Sequence, residues 1–378
     1  MARKYGKKNE IKLDPLKYNL CLIGEGGIGK TTLIKQYCEK LAGQDGYIFL
    51  DVGKEDGSDA ISGIVSEPVW DWEKFDDVTT DIIENRYTDY ADLKVVVIDT
   101  FDELMNLAES EVLRLWNRDN PEKKTKFFKA TYAGFNGPTD KAIEIVFNRL
   151  WELKRVGVSF ITIGHTKKSD VADPVTGETY SILTTNMDKR YFNAMKNKVH
   201  FLGVCYIDRD IVKQKTGRKN IVTGKEEIKG KITSEKRVIC FRDDNFSVDS
   251  KSRFADIIDR VPLDVDEFIK AITDAIQKEH DKSGESMEVT AKKQAAEAKA
   301  EEAVHKARIE KFTAEKQDEV DEPRRDEFIS AIQAGFSTAD ANLKSQAKTM
   351  LNNAGYAKFS DPDLPIQTLK QIASLFTA

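Results

Sequence analysis

Gly24-Glu25-Gly26-Gly27-Ile28-Gly29-Lys30-Thr31 spells G-x-x-x-x-G-K-T, and its neighbours on both sides suit a phosphate-binding loop. Before it, Leu20 to Ile23 is a short apolar run able to form a buried strand. After it, Thr32-Leu33-Ile34-Lys35-Gln36-Tyr37-Cys38 opens a helix. Glycines let backbone N–H groups turn toward an anion, and the helix N-terminus adds its partial positive charge. Lys30 can reach the β- and γ-phosphates, and the Thr31 hydroxyl is placed to ligate Mg²⁺. The expected nucleotide-binding set is Gly24, Glu25, Gly26, Gly27, Ile28, Gly29, Lys30, Thr31 and Thr32.

Outward from this loop, strand-like runs alternate with helix-like segments up to about residue 280. Gly46 to Asp51, Leu93 to Asp99 and Val158 to Gly164 are near-continuous runs rich in β-branched residues, as expected of a parallel sheet covered on both faces. Thr139 to Arg155 carries Ile143, Val146, Phe147, Leu150, Trp151 and Leu153 at helical spacing and is followed by Gly157. Val199 to Ile207 and Arg237 to Phe241 read as further strands. The pattern predicts a doubly wound, mostly parallel α/β domain with nucleotide at the carboxyl ends of its strands.

A chain of 378 residues exceeds one ordinary core, so a large domain with an appendage is expected. We read residues 1–16 as a basic tail, 17–280 as the nucleotide domain, 281–323 as a charged helical linker and 324–378 as a small helical module. Met287 to Lys316 is rich in Ala, Glu and Lys without Gly or Pro, a solvated helix or short coiled coil. Beyond Pro323, the residues Phe328, Ile329, Ile332, Leu343, Met350, Leu351, Leu369, Ile372 and Phe376 can close a three-helix unit. No apolar run approaches the ~20 residues that span a bilayer, and the basic N-terminus lacks the apolar core of a signal peptide. Cys21, Cys38, Cys205 and Cys240 lie far apart without metal-ligand spacing, which suits reduced, buried thiols in a cytoplasmic setting. The net charge of −5 argues nothing for nucleic acid, where only local basic surface matters.

The second chemical motif is Val95-Val96-Val97-Ile98-Asp99-Thr100. An acid at the carboxyl end of a buried strand places a carboxylate beside the phosphate loop, so Asp99 is expected in the Mg²⁺ shell together with Thr31. Asp102 and Glu103 are the next acidic groups able to approach the site. The third is Ile163-Gly164-His165-Thr166-Lys167-Lys168, where His165 can hydrogen-bond a γ-phosphate or its attacking water. A long polar stretch from Ser169 to Lys189 follows, read as a loop of functional length.

Together these residues resemble the RecA-like ATPases, and more narrowly the phage-encoded AAA-type group that includes Sak-type single-strand annealing proteins. The resemblance covers roughly residues 17 to 275 and implies a RecA-like fold, ATP with Mg²⁺, and self-association into a ring or filament. It implies that His165 senses phosphate and that Thr166 to about Arg190 is a mobile DNA-contacting loop. Lys251 and Arg253, in Lys251-Ser252-Arg253-Phe254, match cations that enter a neighbouring subunit's nucleotide site. One departure stands out: Gly53 occupies the place of the family's catalytic glutamate, and Glu55, two residues later, becomes the candidate base.

Lys213, Lys215, Arg218, Lys219, Lys225, Lys229 and Lys231, with Gly217 and Gly224, suggest an exposed basic hairpin or flap whose phosphate contacts would be salt-dependent. Stacking aromatics are absent there. Tyr191 and Phe192 are better placed for stacking, although Phe192 equally suits a core. Two functions follow: a phage-type recombination or annealing protein acting on single-stranded DNA in an infected bacterial cytoplasm, or an ATP-controlled helicase loader or replication adaptor. In either, residues 324–378 are expected to bind a single-strand binding protein, a helicase or another replication protein, with no membrane involved. Asp99-Thr100 and His165, rather than an Asp-Glu pair and an Asn sensor, favour the first.

Overall fold

The computed structural model describes residues 9–53, 57–172, 175–219, 226–242 and 251–377. The chain divides into two compact units, residues 1–303 and 304–378.

In the first unit the elements run β1 (Leu20–Gly24), α1 (Lys30–Ala42), β2 (Tyr47–Val52), β3 (Ser66–Val69), α2 (Trp72–Glu84), β4 (Val95–Asp99), α3 (Phe101–Asp119), α4 (Gly137–Arg155), β5 (Ser159–Ala172), β6 (Thr179–Thr185), α5 (Lys189–Lys196), β7 (Phe201–Lys219), β8 (Glu226–Cys240), β9 (Lys251–Ser252), β10 (Arg260–Pro262) and α6 (Val265–Asp281). The main sheet has the order β10-β8-β7-β1-β5-β4-β2-β3, with β6 paired to β5 and β9 to β7. Strands β3 through β7 in that order are parallel, while β8 and β10 are antiparallel. This is the expected mostly parallel α/β architecture of a RecA-like phosphate-loop fold.

All five residues of β1 are buried, because helices cover both faces. Leu20 and Leu22 join Leu33, Ile34 and Tyr37 of α1 and Phe268, Ile272 and Ile276 of α6 in one core. Phe268 meets Tyr37 edge-on at 5.3 Å and stacks on Phe241 at 5.8 Å. Truncating such an enclosed ring to Ala costs about 3–5 kcal/mol. The opposite face is covered by α2, α3 and α4, which pack on one another. Their entry is fixed locally, as where Asp71 accepts from the Lys74 amide at 2.8 Å to cap α2.

Register sets the site. Gly24 lies level with His165 of β5 on one side and Cys205 of β7 on the other. Asp99 lies level with Ile163 and with Asp51 of β2. Past this row, β5 and β7 do not stop. Chain Thr166–Ala172 pairs antiparallel with Thr179–Thr185, so the stretch read as a mobile loop is mainly a β-hairpin. Its β-branched and alternating residues (Thr166, Val171, Thr179, Ile182, Thr184) fill a ladder instead. On the other side β7 and β8 form a longer hairpin, interrupted by irregularities at Asp210/Ile211 and Lys215/Lys219. At ~3.3 Å per residue its overhang past Cys205 is roughly 45 Å of extended chain.

Residues 213–219 and 226–231 of the basic flap belong to the outer part of that hairpin. Lys225 lies outside the described residues, as do the side chains of Lys215, Arg218, Lys219 and Lys229. Lys213 and Lys231 are exposed.

Helix α7 (Met287–Asp321) leads into the second unit, followed by α8 (Arg325–Thr338), α9 (Ala341–Asn353) and α10 (Ile366–Thr377). There Ile332, Ala347, Leu351, Leu364, Leu369 and Ile372 close a core of their own. Among the described residues no helix is long and apolar enough to cross a membrane. All four cysteines are buried and none is in a disulfide.

Candidate phosphate-loop site

The loop is built by close approach and by left-handed turns. A Cβ on Gly24 would lie 2.8 Å from Cβ and O of Cys205, so β1 and β7 meet there only with glycine. Gly27 (φ 73°) and Gly29 (φ 109°) adopt backbone that other residues resist. Ile28 is buried and pins the loop to the core, while Glu25, Gly26 and Gly27 face solvent. Helix α1 starts at Lys30 without a side-chain cap, which leaves its first N–H groups turned toward the cradle.

Lys30 is buried and folds back over the loop, donating from Nζ to the carbonyls of Gly24 and Glu25 at 3.0 Å each. Thr31 Oγ1 donates to Asp99 Oδ2 at 2.7 Å. A hydroxyl and a carboxylate this close, beside a phosphate cradle, are the hard oxygen donors that Mg²⁺ takes alongside phosphate oxygens and water. Thr31 and Asp99 would hold the ion, and it would neutralise charge on the phosphates.

His165 is half-buried, and its Nδ1 lies 3.0 Å from Asp102 Oδ2. Burial pushes the Asp102 carboxyl up, but the hydrogen bond and charge of His165 outweigh it, so the acid stays below the usual carboxylate range. This contact orients the ring at the carboxyl end of β5, level with Gly24 of the phosphate loop. Asp51 accepts from Ser58 Oγ at 2.5 Å, and burial raises its carboxyl despite the serine hydrogen bonds. Glu103, on the first turn of α3, lies against Gly53, where a Cβ would stand 3.0 Å from Glu103 Cγ. Glu55 lies outside the described residues.

The structure therefore gathers Gly24 to Thr32, Asp99 and His165 at the carboxyl ends of the central strands. Lys251 and Arg253 are elsewhere. Strand β9 pairs with Phe201 and Leu202 at the start of β7, the end of the sheet away from the loop. Lys251 Nζ donates to the Lys196 carbonyl at 3.0 Å, and Arg253 donates to the carbonyls of Val199 (3.1 Å) and Asn197. Both cations serve the carbonyl-rich end of α5 within their own chain. The stacking expectation for Tyr191 is corrected. Tyr191 and Phe192 are core residues, with the Tyr191 hydroxyl donating to Glu109 Oε1 at 2.6 Å.

Two features escaped the sequence. Arg237 of β8 donates from Nη1 to the Ile28 carbonyl at 3.4 Å, which puts a cation beside the loop from the base of the long hairpin. In the α3–α4 connection, Phe127 is 75% and Phe135 89% exposed, amid Lys123, Lys124, Lys126 and Lys129. Tyr132, Ala133 and Phe135 there are left-handed (φ 42°, 64° and 49°). Arg190, just past the β5–β6 hairpin, grips Asp140 at the start of α4 at 2.6 Å and 2.7 Å. The aromatic loop thus ends beside that hairpin's base. The signal for it was Phe127-Phe128 within a lysine run, followed by Gly134 and Gly137-Pro138.

A cradle of this kind, with its hydroxyl–carboxylate pair and with β5 lying between β1 and β4, defines the class of phosphate-loop nucleotide-binding domains. The chain belongs to the AAA domain family, whose model matches residues 16–254. A nucleotide-binding domain of ATPase type follows from that membership. No curated protein matches the chain alongside it.

Proposed function

We propose that this chain is an ATP-hydrolysing recombination or strand-annealing protein of phage type that self-associates on single-stranded DNA. One observation carries the reading: the phosphate loop lies between the bases of two projecting hairpins, because β5 and β7 both flank β1 and both overrun it. Nucleotide state can bias both arms at their bases, through His165 on β5 and Arg237 on β8.

The chemistry for DNA supports it. Exposed lysines on the β7–β8 arm and the α3–α4 loop suit phosphates. Phe127 and Phe135 supply stacking faces that the basic flap lacks. Left-handed L-residues cost roughly 1–2 kcal/mol each, and such strain persists mostly where function requires it.

The test is ATP turnover and fluorescent oligonucleotide binding over a salt series. We expect turnover stimulated by single-stranded DNA, and an affinity that falls steeply as salt rises. Phe127→Ala with Phe135→Ala should weaken binding by tenfold or more, since stacking is worth about 1–3 kcal/mol per base, with the salt slope preserved. Turnover indifferent to DNA, together with micromolar-or-weaker binding at low salt, would remove the recombination reading.

A further inference from the structure

Resting on the ATPase reading above, we infer that Glu103 is the catalytic carboxylate that takes the proton from the attacking water. Among the described acids at the carboxyl ends of β2, β4 and β5, Asp99, Asp102 and Asp51 are already committed, and Asp59 is an exposed neighbour of Asp51. Asp99 accepts from Thr31, Asp102 faces His165, and Asp51 accepts from Ser58. Glu103 is half-buried and makes no hydrogen bond or ion pair among the described residues.

Its position is set from two sides. The first turn of α3 follows Asp99 directly, and Asp102 on that turn reaches toward β5, with its Oδ1 3.5 Å from where a Cβ on Gly164 would stand. Glu103 reaches the other way, toward β2. A Cβ on Gly53 would stand 3.0 Å from Glu103 Cγ, 3.1 Å from its Cβ and 3.1 Å from its Oε2. Gly53 lies two residues past Asp51, which is level with Asp99. The space a side chain at position 53 would occupy, two residues past the row that holds Asp99, is therefore filled by the Glu103 side chain. Glycine at 53, with φ 89°, is what leaves it room.

In the step assigned to it, the water oxygen bonds to the γ-phosphorus as one O–H proton passes to a Glu103 oxygen. The bond from phosphorus to the β,γ-bridging oxygen breaks, and its electron pair stays on ADP. Glu103 then releases the proton to the phosphate product or to solvent.

The experiment uses the full chain with Mg²⁺ and ATP, comparing the parent with Glu103→Gln and Glu103→Asp in single-turnover hydrolysis, ATP titration and thermal melting. Glu103→Gln should keep ATP affinity within about threefold and keep its melting temperature. Its hydrolysis should fall about 10²–10⁴-fold, the usual share of a general base, leaving intact ATP on the protein. Glu103→Asp, which keeps the carboxylate, should recover part of the rate and the acid limb of the pH–rate profile that Glu103→Gln loses. Hydrolysis by Glu103→Gln within fivefold of an active parent overturns the assignment and leaves the ATPase reading standing. A parent without hydrolysis, with or without DNA, overturns both.

Discussion

Arg253 shows how a residue's chemistry depends on where its cation is already used. Its guanidinium donates to the carbonyls of Val199 and Asn197, and Lys251 beside it donates to that of Lys196. Charge-assisted bonds of this kind are worth about 1.5–3 kcal/mol when enclosed, and less here because the site is partly exposed. Arg253→Ala should therefore lower the melting temperature by a few degrees and leave ATP affinity unchanged. Its turnover should stay near the parent's. Turnover lost in Arg253→Ala and regained on mixing with Lys30→Ala protein would instead show that the arginine leaves its carbonyls to serve a neighbour. Nothing in Lys251-Ser252-Arg253 itself separates these outcomes, since a cation reads the same before and after its partner is chosen.

At the scale of elements, α7 and α10 are tied by one acid. Asp321 is 1% exposed and accepts from Lys370 Nζ at 2.7 Å and from Gln317 and Gln367 at 2.9 Å each. The Lys370 bond leads, outweighing desolvation, and the carboxyl is depressed to about 2. A depressed acid stabilises the fold above its unfolded value near 4, and that contribution is lost as pH falls toward 2. Thermal melts followed by helical signal should show residues 304–378 losing stability between about pH 4 and 2. In Asp321→Asn that pH dependence should flatten, from a lower starting stability. An unchanged pH profile in the variant would remove Asp321 as the anchor. The β5–β6 hairpin carries the complementary lesson: Ser169 to Lys189 is polar enough to read as a loop, yet its β-branched residues pair once β5 continues past the sheet.

For the whole molecule, the boundary between units lies within α7 at 303/304. The first part of α7 belongs with the nucleotide unit, where Gln294 accepts from the Leu13 amide at 3.1 Å and donates to the Ile11 carbonyl at 2.8 Å. A chain ending at residue 303 keeps these bonds, the phosphate loop, both hairpins and the aromatic loop. It should retain ATP binding and single-stranded DNA affinity within about threefold, with the parent's salt dependence. DNA affinity that travels entirely with residues 304–378 would make the first unit an ATP switch for a DNA-binding or partner-binding tail.

The sequence alone determined the phosphate loop, the strand-end acid Asp99 and the alternation of strands and helices. Each is written in a few adjacent residues whose backbone preferences and burial act locally. Tertiary structure alone decided strand order and register, and with them the company each side chain keeps. Arg237 reaches Ile28 and Glu103 fills the space beside Gly53 because a shared core brings distant segments edge to edge. The same packing buries Tyr191 and exposes Phe135, although both are aromatic residues beside polar stretches. Which of them meets water depends on what the rest of the chain leaves uncovered.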